Sequence, residues 1–140
     1  MAVRASERSP STLDVQMRCE ELVLHTIKIC SNERIFDPKY SFFTEKIIET
    51  AVGVGEKLWK ANGIRVGNDF DKWNVRHSLQ AEACMELDYF LYLICLARTL
   101  YHLRSGKYRY WVKLARETRD LAHAWRDSDS RRYGGLKSGT

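Results

Sequence analysis

"LQAEACMELDYFLYLICLARTLY", residues 79–101, decides the fold. Leu79, Ala83, Leu87, Phe90, Ile94, Ala97 and Tyr101 recur at spacings of 4, 4, 3, 4, 3 and 4. That is close to a heptad seam and requires a helix. The pattern predicts a helix over about 71–104, roughly 50 Å long at 1.5 Å per residue. Within it, "YFLYLICLA", residues 89–97, is apolar on almost every side. Such a helix meets protein on more than one face. In a small bundle, the expected cover for its outer side is another subunit. Nine apolar residues, closed by Asp88 and Arg98, are too few to span a bilayer.

Three further helical patterns surround this one. A first helix is expected over about 13–31, with Ser11 or Thr12 as cap. Cys19, Val23, Ile27 and Cys30 share one of its faces. "SNERIFDPKY", 31–40, breaks the pattern, because the residue before Pro38 is biased away from helix. A second helix is expected over about 41–61, with Phe43, Ile47, Ala51, Val54 and Leu58 facing inward. Asn62-Gly63 offers it a left-handed C-cap. "GVG", 53–55, sits inside this helix and lacks the third glycine of a dinucleotide loop, so it reads as close helix packing. "GIRVGNDF", 63–70, carries turn and cap chemistry at Gly67-Asn68-Asp69. "RSGK", 104–107, reads as a turn before a fourth helix over about 108–127. Four helical patterns without strand patterns predict an all-α, antiparallel four-helix bundle over 13–127. Residues 1–12 are expected to form a flexible arm, and 128–140 a flexible basic tail.

Composition supports a single soluble domain. The chain has 140 residues, 44% hydrophobic and 29% charged, with only two prolines. The net charge of +5 is unevenly placed. Residues 1–97 hold 12 Lys/Arg against 14 Asp/Glu, whereas 98–140 hold 11 against 4. A basic third on a near-neutral body favours a polyanionic or acidic partner. "MAVRASERSP" lacks an apolar signal core, so a cytoplasmic location without membrane association is expected. Cys19, Cys30, Cys84 and Cys95 form no C-x-x-C and read as reduced, buried thiols.

The fourth helix concentrates the charge. Trp111, Leu114, Ala115, Thr118, Leu121, Ala122 and Trp125 occupy one side of it. Arg109, Lys113, Arg116, Arg119, His123 and Arg126 occupy about 140° of the other. Arg104 and Lys107 extend this basic face at one end, and Arg131, Arg132 and Lys137 at the other. Cations on one rigid surface neutralise phosphates and release counterions. Arg104, Lys107, Arg109, Lys113, Arg116, Arg119, Arg126, Arg131 and Arg132 are therefore the candidate nucleic-acid contacts. Tyr108, Tyr110 and Tyr133 are candidate base-stacking groups. Arg76 and Arg98 are further candidates if exposed; Arg98 could instead pair across the bundle.

No catalytic or metal signature accompanies this face. His25, His77, His102 and His123 form no H-E-x-x-H, and Asp120-Leu-Ala-His123 has no mate for a di-iron site. No nucleophile elbow, phosphate loop or kinase signature is present. The expectation is a non-enzymatic protein without cofactor.

Three stretches resemble one family. "IFDPKYSFFTEKI", 35–47, is similar to its Phe/Pro/Lys entry into the second helix. Arg76 followed by "QAEACMELDYFLYLICLARTLYHL", ending at Leu103, is similar to its Arg and long Leu-rich third helix. "KYRYWVKLARETRDLAHAW", 107–125, is similar to its short turn and Trp-ended last helix. Over about 13–127 the chain resembles the four-helix-bundle family of the accessory variability determinants of diversity-generating retroelements and the ribosomal intervening-sequence proteins. It departs where the family often has Gly-Gly before the final Trp; here "GG" falls at 134–135. The resemblance implies a homopentamer that binds a reverse transcriptase and its template RNA, with cDNA as a possible further partner, and supports mutagenic cDNA synthesis. The intervening-sequence branch implies a protein–protein adaptor instead.

Overall fold

The computed structural model describes residues 12–138. Four helices run α1 Thr12–Cys30, α2 Ser41–Asn62, α3 Phe70–Leu100 and α4 Ser105–Tyr133. A 3₁₀ turn, Pro38–Tyr40, leads into α2. Each helix packs on its two neighbours in cyclic order, α1 on α2, α2 on α3, α3 on α4 and α4 on α1. Cross-helix pairs show that every neighbour is antiparallel. Trp111 meets Thr26 and Glu117 meets Arg18 between α4 and α1. Tyr101, just past α3, meets Thr44, and Glu86 meets Lys57, between α3 and α2. Arg119 meets Asp88 and Asp129 meets Arg76 between α4 and α3. The molecule is the all-α four-helix bundle that the periodicities imply.

Ala83, Leu87, Phe90, Ile94, Ala97 and Tyr101 of the α3 seam are buried, and Leu79 is half-buried against them. Ile47, Ala51, Val54 and Leu58 form the buried stripe of α2. In α1 the buried set is Val15, Cys19, Leu22, Thr26, Ile29 and Cys30. Ile27, expected inside, is exposed, because Leu22 and Thr26 turn the core stripe away from it. Gly53 faces Glu86, and Gly55 faces Val23 and Cys19. The GVG stretch thus sits at close helix contacts. A Cβ at either glycine would meet those neighbours at 3.5–3.7 Å, so alanine fits.

Asp69 caps α3, accepting from the amides of Asp71 and Lys72 at 2.9 and 3.3 Å. Gly67 takes the left-handed conformation in the preceding turn, with φ of 56°. Gly63 does not; its φ is −73°, and its amide bonds back to Trp59 and Lys60 carbonyls.

The α3–α4 turn lies earlier than expected. α3 stops at Leu100, and His102 takes φ of 51°. The Leu103 amide then reaches the Arg98 carbonyl at 3.1 Å, a Schellman closure with histidine where glycine is usual. Buried Leu103 holds the turn onto the core. Ser105, Gly106 and Lys107, expected as a turn, are instead the first turn of α4.

α4 also runs six residues past its expected end at 127. Asp129 lies on its core stripe, four residues after Trp125, and is buried. Its Oδ2 accepts from Arg76 Nε at 2.8 Å and from Gln80 Nε2 at 2.7 Å. Residues 128–133, expected in a flexible tail, are therefore helical, with Gly134 as C-cap. The expected arm lies outside the described residues except for Thr12, which opens α1. Among the described residues no helix is long and apolar enough to cross a membrane.

Candidate nucleic-acid interface

The rotation of α4 about its own axis sets which cations face out. Trp111 is fully buried and donates its indole N–H to Thr26 Oγ1 at 3.0 Å. Thr26 in turn donates to the Leu22 carbonyl at 2.7 Å. Phe36 and Phe90 pack their rings near-perpendicular to the indole at about 6 Å. Leu114, Ala115, Thr118, Ala122 and Trp125 continue this buried stripe, with Leu121 half-buried beside it.

Arg109, Lys113 and Arg116 consequently project into solvent. With Tyr108, Val112, Glu117 and Asp120 they line a shallow depression of about 400 Å³. Lys113 Nζ is 4.0 Å from Glu117 Oε1, and Arg18 of α1 holds the other Glu117 oxygen at 3.3 Å. Arg109 and Arg116 have no carboxylate partner among the described residues. Arg131 is exposed in the last turn of α4. Five helical turns separate it from Lys113, so the two share one side. Glu117, Asp120 and Asp127 lie between them on that side, so the extension of α4 adds a separate cation near its end and does not lengthen the row.

Five other candidates stand elsewhere. Arg119 is half-buried, with Nε 2.6 Å from Asp88 of α3, so its charge joins two helices. Arg126 is half-buried against the His123 Nδ1 at 3.0 Å and lies 3.7 Å from Asp127. Arg104 and Lys107 are exposed at the end of the bundle, around the start of α4 rather than along its flank. Arg132 is exposed on another side of the last turn, over the Tyr133 ring at 5.1 Å.

Arg76 is not a surface candidate. Its side chain is 12% exposed and makes the buried pair with Asp129 at 2.7 Å. It also donates to the Ile64 carbonyl and lies over the Trp125 ring at 5.0 Å. Arg98 is exposed but stacks on Tyr108 at 4.6 Å. Tyr133 packs on Trp73, and Tyr108 is half-buried, so only Tyr110 of the three tyrosines offers an exposed ring.

Three thiols are buried, and desolvation pushes Cys19 and Cys30 up to about 12 and raises Cys84. Cys95, expected inside, is exposed. At this level of α3 the buried positions are Leu93, Ile94 and Ala97, and Cys95 lies about 100° of arc or more from each. Among the described residues no three His, Cys, Asp or Glu side chains converge as metal ligands would.

The periodicity that found Trp111 and Trp125 also reaches Asp129. Its Ser/Asp/Arg surroundings concealed it, and with it the Arg76 and Gln80 contacts. Lys28 and Arg34, which share the bundle end with Arg104 and Lys107, are a distant 70 or so residues earlier and gave no local pattern. Comparison with family models, curated proteins and solved structures gives no match.

Proposed function

We propose that the chain is a non-enzymatic, self-associating RNA-binding protein that serves as accessory subunit to a reverse transcriptase of a diversity-generating retroelement. In that role it holds template RNA on its basic flank while mutagenic cDNA synthesis proceeds. The observation that carries the RNA-binding part is the row Arg109, Lys113 and Arg116, exposed together around one depression on a rigid helix. A fixed row of cations neutralises phosphates without ordering a loop first. Few groups that read bases accompany it, so binding is weakly sequence-specific. Self-association draws support from the exposed outer face of α3, and the polymerase partner from the sequence resemblance alone.

The test is charge reversal. The triple variant R109E/K113E/R116E, checked for helicity by circular dichroism, should lose structured-RNA binding by at least about tenfold, as lost charge-assisted contacts demand. Unchanged affinity in a folded variant sinks the reading. Glu117 and Asp120, interleaved with the cations in the same depression, favour a second reading, a protein–protein adaptor docking a mixed-charge surface. That reading expects self-association with no RNA bound even at low salt.

A further inference from the structure

The end of the bundle where α1 stops and α4 starts is more uniformly cationic than the flank. Two adjoining depressions of about 420 and 410 Å³ share Asn32 and Lys107. Each is within the size range of small-ligand sites. Lys28 from the last turn of α1 and Lys107 from the first turn of α4 face the first. Arg34 from the α1–α2 loop and Arg104 from the α3–α4 turn face the second, with Lys107 between. No Asp or Glu lines either. Glu33 and Asp37, the nearby acids, line a separate depression with Cys30 and Pro38. None of the four cations has a carboxylate partner among the described residues.

The first depression also has a flat wall and an idle polar atom. His25 and Tyr110 meet edge to face at 4.9 Å, and Tyr110 is half exposed. His25 Nε2 is buried without a hydrogen-bond partner. The α4 start adds amides that no side chain caps, since its N-cap residue is Arg104 and its first turn carries no acid.

We propose that this end of the bundle binds a 5′-phosphorylated nucleotide. The phosphate sits among Lys28, Lys107, Arg104 and Arg34, and the nucleoside lies against Tyr110. A terminal phosphate carries a charge of about −1.5 to −2. It therefore suits four cations clustered around two adjoining depressions better than a singly charged backbone phosphate does. The same chemistry arises from a free mononucleotide or from the 5′ end of an RNA strand. The site does not rest on the α4 flank binding RNA, since Lys28 and Arg34 lie outside that flank.

The test compares 3′-labelled decaribonucleotides of one sequence carrying 5′-phosphate or 5′-hydroxyl, by fluorescence anisotropy. Adenosine monophosphate and adenosine are titrated in parallel by calorimetry. Each protein variant is checked for helicity. The expected result is a preference of about tenfold or more for the 5′-phosphate strand, the scale of one added charged hydrogen bond. K28Q and R34Q should shrink that preference, whereas R109Q/K113Q/R116Q should leave the ratio standing whatever it does to overall affinity. Binding of adenosine monophosphate but not adenosine shows that the free nucleotide suffices. A strand-end preference without it assigns the site to RNA ends. The absence of both overturns the proposal, as does a preference that survives K28Q and R34Q intact.

Discussion

Single residues hold this bundle in register at its two ends. Near the end where α1 stops and α4 starts, Trp111 fills the core and is fixed by the chain of hydrogen bonds through Thr26 to the Leu22 carbonyl. At the opposite end, Asp129 holds Arg76 and Gln80 in a site where the ion pair is 12% and 9% exposed. A buried pair adds little when compared with apolar residues, but removing one partner strands the other charge. Asp129→Asn should therefore cost about 3–5 kcal/mol in urea unfolding, and fray the last turns of α4. The double variant Arg76→Met with Asp129→Leu should recover only part of that loss, because Gln80 loses its acceptor and the Ile64 carbonyl its donor. A D129N protein as stable as the parent contradicts the assigned pair. The thiols offer a cheaper check. Burial holds Cys19 and Cys30 as neutral thiols well above pH 8, because their pKa is raised to about 12. The thiolate is the reactive form. At pH 8 a maleimide or iodoacetamide should modify Cys95 first, read by peptide mass. Equal rates at Cys19 and Cys95 contradict the core.

Among the elements, α4 joins fold to function. Its apolar stripe was legible because Trp111, Leu114, Ala115, Thr118, Ala122 and Trp125 obey the 3.6-residue period, and the structure buries all six. Its basic side was legible only as a direction. Arc position on one helix does not reveal what a neighbouring helix presents, so the Asp88 partner of Arg119 was invisible from α4. The α3–α4 turn was misplaced for a local reason. Ser105-Gly106 carries the usual breaker residues, yet the chain turns at His102, which a Schellman closure can place left-handed. Neither Gly63 nor Gly106 is used in the way its residue type suggests. The α3 seam, by contrast, depends on seven spaced side chains and tolerated an error of four residues at its end. At this scale the flank makes a quantitative prediction. On single-stranded RNA each neutralised phosphate contributes about 0.7 to the slope of log K against log salt. R109Q/K113Q/R116Q should reduce that slope by about 2, whereas R119Q should change it far less and instead weaken the α3–α4 contact.

At the scale of the whole molecule, the described residues leave apolar surface uncovered. Met85, Tyr89, Tyr92, Leu96 and Leu100 recur along the outside of α3, opposite the buried seam, and Met85 and Tyr92 are 70% and 57% exposed. A stripe of that length on a small protein marks an interaction surface. A second copy of the chain covering it accounts for why residues 89–97 are apolar on every side. M85E and Y92E should lower the oligomer mass by sedimentation while leaving helicity intact. Cys95, on the exposed part of the same helix, should then react faster in the variants than in the parent. A parent protein that is monomeric at micromolar concentration contradicts this reading.

The most direct test of the central claim joins the flank to the assembly in one sample. RNA affinity of the purified protein is measured across a salt series, with oligomer mass determined on the same material. The account predicts a symmetric oligomer that binds structured RNA and loses affinity steeply and linearly in log salt, with a slope of at least about −2, as three or more phosphate contacts require. An oligomer indifferent to RNA at low salt would contradict it, and would leave the row of Arg109, Lys113 and Arg116 as a protein-docking surface.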